Sequence, residues 1–424
     1  MSSVSRISAV LGGSVGNLVE WFDWYTYSAA ALYFAPIFFP KGDQTAQLLQ
    51  TAAVFAVGFF ARPVGAWLMG LYADRVGRKA ALTLSVTMMC AGSLAIAATP
   101  GAATIGVAAP VILLLARVFQ GLSLGGEYGA SATYISEMAG RKYRGFWSSF
   151  QYVTLIGGQL TALAVLIILQ HVLGKGDMAA WGWRIPFVIG AGLAIVAYWL
   201  RQRLPESRSF ERADTPGSAR GGIRRLFLDH PREAITVLGF TAGGSVIFYV
   251  YTTYMQKFLT NTAGFSKDQA TEISAVSLVA FMVAQPFFGW LSDKVGRKPL
   301  MLVAFGGATL ATWPVMTAVG AARSSWIALC LIVAAMMIQS CYTSISAVVK
   351  AELFPTAIRT LGVAVPYALA NAAFGGTAEY VALWFKSVGS ESGFYIYASA
   401  VAGMSFLVAL TMNETRVHSR LIED

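Results

Sequence analysis

The chain has 424 residues, of which 56% are hydrophobic and only 12% charged, and its mean hydropathy is +0.60. A soluble globular domain carries about one quarter charged residues, so composition excludes an ordinary soluble fold and points to a polytopic membrane protein. The net charge of +10 does not call for nucleic acid, because no aromatic interleaving or recognition module accompanies the basic residues.

A membrane span needs about 20 mostly apolar residues. Twelve such runs are predicted, at 8–35, 47–72, 80–99, 108–131, 146–171, 184–203, 233–259, 267–291, 299–320, 325–349, 360–385 and 392–412. The first is too long and too acidic for a cleaved signal peptide and is expected to be retained. Within it Asn17, Glu20, Asp23 and Tyr27 recur every three or four residues, one polar stripe on a greasy helix. Charges in hydrocarbon are costly unless paired, protonated or hydrated, so the stripe is expected to face a cavity.

An even number of spans puts both termini on one side. If that side is the cytoplasm, 22 of the 31 basic residues fall in cytoplasmic segments, Lys350 and Arg359 among them, and 6 in outer ones. This satisfies the positive-inside rule. Arg62, Arg117 and Lys257 remain within spans. The longest polar segment, about 201–232, is rich in Arg, Ser, Gly and Pro and reads as a linker with little core. Its arginines are expected to lie against an anionic leaflet. The chain is thereby divided into a six-helix half (1–203), a cytoplasmic linker (204–232) and a second six-helix half with a short tail (233–424).

The halves echo each other. Gly70-L-Y-A-Asp74-Arg75-V-Gly77-Arg78-Lys79 follows the second run, and Gly289-W-L-S-Asp293-K-V-Gly296-Arg297-Lys298 follows the eighth, at an offset of 219 residues. Glu137 and Arg144 follow the fourth run, and Glu352 and Arg359 the tenth, each pair seven apart. An internal repeat in a polytopic protein points to a transporter. Gly77 and Gly296 permit tight turns, while Asp74 and Asp293 can accept from a helix N-terminus and from Arg. These residues form a candidate cytoplasmic gate that holds the halves closed. In the fourth run Arg117, Gly121 and Gly125 recur on one helical face, suiting close helix approach.

The doubled motif and the Arg117 motif resemble those of the major facilitator superfamily. A closer resemblance is to its metabolite–proton symporter family, through G-N-L-V-E-W-F-D (16–23), F-F-A-R-P-V-G-A-W (59–67), Q-G-L-S-L-G-G-E-Y-G (120–129), W-G-W-R-I-P-F (181–187) and F-G-G-T-A-E-Y (374–380). Three further stretches bear on the substrate: 149–160, 251–259 and 344–355. The resemblance implies an all-α membrane protein with twelve spans in two pseudo-symmetric halves. It also implies proton-coupled import of a dicarboxylate, α-ketoglutarate foremost, by alternating access, with citrate, shikimate or an osmolyte such as proline or betaine as the competing solutes. A drug exporter and a non-transporting metabolite receptor are the remaining alternatives.

Arg62 suits a substrate carboxylate bidentately, or else pairs permanently with Glu20 or Asp23. By resemblance to sugar–proton symporters, Asp23 pairs with Arg117; a pair that opens with conformation is a proton switch, and a static pair is not. Glu20 is the other candidate carrier. Lys257 is expected to snorkel to the outer interface, with anion attraction as the alternative. Tyr152, Gln159, Tyr249 and Asn371 are neutral hydrogen-bonders able to line a cavity or to pack helices. Glu127 and Glu379 have structural and relay readings alike, and Trp183 with Arg184 is expected to anchor at the outer interface. No catalytic constellation or metal spacing is present, so neither an enzyme nor a cofactor is expected. A proton gradient would drive a carrier acting as a monomer in the bilayer of a bacterial inner membrane.

Overall fold

The computed structural model describes residues 3–76, 78–123, 127–203, 222–355 and 358–419; for residues 3–16 and some positions in 70–82, 127–141 and 197–225 it describes the backbone alone. The described residues form helices and no strand. Among the described residues, seven helices are long and apolar enough to cross a membrane, and Thr83–Ala98, Ala108–Ser123 and Gly182–Val196 are shorter apolar helices. Ser3–Phe38 and the interrupted helix from Arg359 to Ser387 complete twelve spans in order.

Each helix begins and ends close to its predicted run. Most overhang it, because a helix continues for a turn after hydrocarbon gives way to polar surroundings. The second span is Gln44–Val76, the eighth Lys267–Val295 and the tenth Ser325–Thr343 with Ser346–Leu353. Local signals set the ends. Ser266 and Gln269 form a reciprocal capping box at the start of the eighth span, and Pro231 opens the seventh. Gly296, at φ +103°, makes the predicted tight turn into the ninth span, Arg297–Ala321. The carboxylate of Glu414 accepts from the N–H groups of Arg297 and Lys298 at 2.9 and 3.0 Å there, and leaves no room for a Cβ on Gly296.

Exposed Phe60, Trp67, Val283, Leu310 and Leu407 leave apolar outer faces of the kind lipid covers. Two expectations change. The segment 204–232 does not end as bare linker: Gly222–Asp229 is a helix whose Leu226 is fully buried with Phe240 and Phe354. Trp183 does not anchor at an interface but is buried against Phe34, Phe38 and Phe187. Arg184 donates inward to the carbonyls of Ala97 and Thr99.

Candidate functional site

The stripe on the first span fans out over four neighbouring helices. Asn17 donates to Thr154 Oγ1 and the Gln151 carbonyl of the fifth span (2.9 and 3.2 Å). Glu20 Oε1 lies 3.6 Å from Arg62 Nη1 on the second span. Asp23 accepts from Ser93 of the third span and, at 2.7 Å, from Gln120 Nε2 of the fourth. Tyr27 donates to the Thr51 carbonyl at 3.0 Å. Close helix approach allows this, since a Cβ on Gly158 of the fifth span would meet the Leu18 carbonyl at 2.4 Å.

The expected direct pair of Asp23 and Arg117 is not formed. Gln120 stands between them: Arg117 Nη1 donates to Gln120 Oε1 at 2.7 Å, and Gln120 Nε2 donates to Asp23 and to Ser93 Oγ. An Arg can only donate, so it orients the amide and turns the NH2 toward the carboxylate. The relay lies inside the first half, with a Cβ on Gly190 of the sixth span 2.8 Å from Asp23 Oδ1. Asp23 therefore does not face a cavity between the halves, because its helix turns that side inward. Gln120 was legible only as a letter of the glycine motif, and Ser93 carried no sequence signal.

Arg62 lies at the interface of the halves. Its guanidinium sits 4.0 Å from the Trp24 ring centroid and 4.8 Å from that of Phe59. Phe59 and Trp21 in turn meet Tyr249 of the seventh span at 5.5 and 6.5 Å. Arg117 stands 3.8 Å from the same Trp24 ring. One indole thus contacts both arginines, and cation–π attraction holds each. Among the described residues, Nε and Nη2 of Arg62, Nε and Nη2 of Arg117 and both polar atoms of Gln159 are buried without a hydrogen-bond partner. Unmade bonds of this kind cost about 1–3 kcal/mol each, more when charged, and mark where a polar ligand fits.

In the second half, two spans depart from the α-helix beside this cluster. The seventh winds as a π-helix over Val250–Tyr254, immediately after Tyr249, and the eleventh over Asn371–Gly375. Such turns occur often at functional sites. A Cβ on Gly375 would meet Asn371 Oδ1 and the Tyr249 ring, so the glycine lets those side chains share one space. Tyr152 is buried edge-on to Phe248, with ring centroids 5.7 Å apart.

Lys257 does not snorkel. It is 1% exposed, pairs with Glu379 Oε2 at 2.8 Å and donates to Ser28 of the first span. The helix turns it inward, and its charge is matched by Glu379, which removes it from the unpaired cations available to an anion. The bond to Ser28 makes the pair a link between halves at the end opposite Asp293. Tyr25 to the Thr252 carbonyl (2.7 Å) and Lys267 to the Leu32 carbonyl (2.6 Å) are others.

The residues expected at the cytoplasmic end also close across the halves. Asp293 accepts from the N–H groups of Gly145 and Phe146, at 2.8 and 2.9 Å, capping the helix Arg144–Ser148 of the other half. Gly289 and Gly145 pack backbone to backbone. The two seven-residue spacings pair crosswise: Arg359 with Glu137 at 2.6 Å, and Arg144 with Glu352 at 3.7 Å. Arg297 joins Asp293 at 2.9 Å and Glu352 at 3.8 Å. Lys298 stays in its own half, donating to the Leu410 carbonyl. Gly77 and the side chains of Asp74, Arg75, Arg78, Lys79 and Glu127 lie outside the described residues, and of Gly70 only the helical backbone is described. Both ends are thus bridged in this conformation.

Twelve spans, bridges between halves at both ends and a buried charged cluster between them define a secondary transporter of the alternating-access kind. The family model of the Major Facilitator Superfamily matches residues 13–378 and 254–422, and the chain belongs to that superfamily. It is 53% identical to the alpha-ketoglutarate permease of Escherichia coli K12, over 98% of this chain and 96% of that one. It is 30% identical to the citrate–proton symporter of Salmonella typhi, over 98% and 96%. The xylose transporter XylE of E. coli, in a partially occluded inward-open structure, has the same fold, with a TM-score of 0.76, 20% identity and 97% of each chain covered.

Proposed function

We propose that the chain imports a dicarboxylate, α-ketoglutarate foremost, together with protons, by alternating access. It acts as a monomer in a bacterial inner membrane with both termini in the cytoplasm, driven by the proton gradient without a cofactor. Its two bodies are residues 1–203 and 233–424. The similarity to the E. coli alpha-ketoglutarate permease supports the substrate. The single structural observation that carries the reading is Arg62, a buried guanidinium between the halves with two nitrogens lacking a partner.

In this reading a substrate carboxylate takes the free edge of Arg62, while Tyr249, Asn371 and Gln159 contribute neutral bonds. A proton resides at Asp23, with Glu20 as the second acid of the site. Proton arrival loosens the hold of Gln120 and Ser93 on the carboxylate. Because Gln120 is bound to Arg117, and Arg117 shares Trp24 with Arg62, the change is felt at the substrate cation. Each ligand then favours the state the other needs, which is coupling in the thermodynamic sense. The neutralised interior can close at one end while the crosswise ion pairs open at the other.

Uptake by proteoliposomes under an imposed inward proton gradient, with labelled α-ketoglutarate, citrate, shikimate, proline and betaine, tests the proposal. Accumulation of α-ketoglutarate that collapses with a protonophore is expected. Accumulation of betaine or proline in preference, or uptake indifferent to the gradient, would refute it.

A further inference from the structure

Lys350 reads in the sequence as one more cytoplasmic positive charge, one residue past the tenth apolar run. The structure buries it completely. It stands on the helix Ser346–Leu353, whose Ala347 and Ala351 pack closely on Ala132 and Val363. Its ammonium donates to Ser346 Oγ at 2.8 Å and to the Tyr128 hydroxyl at 3.0 Å. It also lies 4.4 Å from the Tyr367 ring centroid and 5.0 Å from that of Tyr128.

All of these partners are neutral. Every other buried lysine or arginine that lies at a bridge between the halves has a carboxylate in reach: Lys257 has Glu379, Arg144 has Glu352, Arg359 has Glu137 and Arg62 has Glu20. Lys350 has none. Isolated charge is expensive in a dry interior, and aromatic faces offset part of that cost. An ammonium has three protons to donate, and two are used. Tyr128 belongs to the first half and Lys350 and Tyr367 to the second, so the cation sits where the halves meet. Tyr128 and Tyr367 stack at 3.6 Å, and Tyr367 stands on the eleventh span just before Asn371, which shares its space with Tyr249. The rings around Lys350 therefore lead toward the Tyr249 side of the Arg62 cluster.

We propose that Lys350 is a second cationic substrate ligand, taking the carboxylate of a dicarboxylic acid that Arg62 does not hold. This rests on the reading of the chain as a dicarboxylate carrier and sharpens it: two buried cations, one per half, select for two carboxylates on one molecule. An anion then bridges the halves and supplies the charge that Lys350 lacks. A monocarboxylate leaves Lys350 unmatched and is discriminated against.

The test compares α-ketoglutarate with 2-oxopentanoate, which keeps the keto acid end and lacks the distal carboxylate. Binding to purified wild-type protein, Lys350→Met, Lys350→Gln and Lys350→Arg is measured, with thermal unfolding as the check on folding. Wild type and Lys350→Arg are expected to prefer the dicarboxylate by at least about tenfold, the factor carried by ~1.4 kcal/mol. Lys350→Met and Lys350→Gln are expected to lose that preference, through weaker α-ketoglutarate binding and unchanged 2-oxopentanoate binding. Equal weakening of both ligands, or of neither, overturns the proposal. So does failure of both neutral variants to fold, because the charge would then be structural. If wild type binds no dicarboxylate, the parent reading falls and this one with it; if it binds dicarboxylates and the neutral variants keep the preference, only this one falls.

Discussion

Replacing Asp293 with Ala tests the closure at that end of the helix bundle. The carboxylate takes two backbone N–H bonds, from Gly145 and Phe146 of the other half, and one from Arg297 of its own. Hydrogen bonds to a charged group contribute about 1.5–3 kcal/mol each, so the two crossing bonds hold the closed state by about 3–6 kcal/mol. At ~1.4 kcal/mol per tenfold, their loss moves the closed-to-open ratio by about two to four powers of ten. Arg297 keeps Ser292 and Glu352, which limits collateral damage. Spin labels at the exposed positions Tyr143 and Val295, one in each half, report the separation at that end by pulsed dipolar spectroscopy. The long-distance population should rise in Asp293→Ala and stay put in Lys298→Ala, whose lysine bonds only within its own half. An unchanged distribution in Asp293→Ala, or an equal shift in the control, would refute the assignment of these bonds as the closure.

Three other outcomes follow from the geometry. Lys257→Ala or Glu379→Gln alone strands a buried charge and should lower detergent stability by about 3–5 kcal/mol, while Lys257→Met with Glu379→Leu should recover much of it; thermal unfolding of the set decides. Gly158→Ala places a methyl 2.4 Å from the Leu18 carbonyl and should cost about 1–3 kcal/mol by overpacking. Gly157→Ala, whose nearest contacts are at 3.7 and 3.9 Å, should be tolerated in the same assay. Arg62→Lys keeps the charge but loses the planar fork and the indole stacking, so α-ketoglutarate affinity should fall about tenfold or more in a binding titration, with folding intact.

The spans were legible because apolar length is a strong signal, and the internal repeat was legible because its motif occurs twice. Asp293 at a helix N-terminus and Gly296 in a turn follow from residue chemistry, and the structure places both so. Partner choice was not legible. Glu137 and Arg144 are neighbours in sequence, yet the packing of two halves gives each a partner from the other repeat. Gln120 and Ser93 are neutral residues that a helix uses equally for packing, so their place on Asp23 emerges only when three helices converge. Lys257 and Lys350 lie near the ends of apolar runs, where hydropathy cannot separate a residue that reaches outward from one the opposite half covers.

In the proposed coupling Asp23 carries the proton that drives accumulation, and Gln120 and Arg117 pass on its arrival. Asp23→Asn in proteoliposomes isolates that step, with gradient-driven accumulation and exchange of labelled for unlabelled α-ketoglutarate measured on the same preparation. Accumulation should be lost while exchange persists. Accumulation that survives the substitution would contradict it, whatever becomes of exchange.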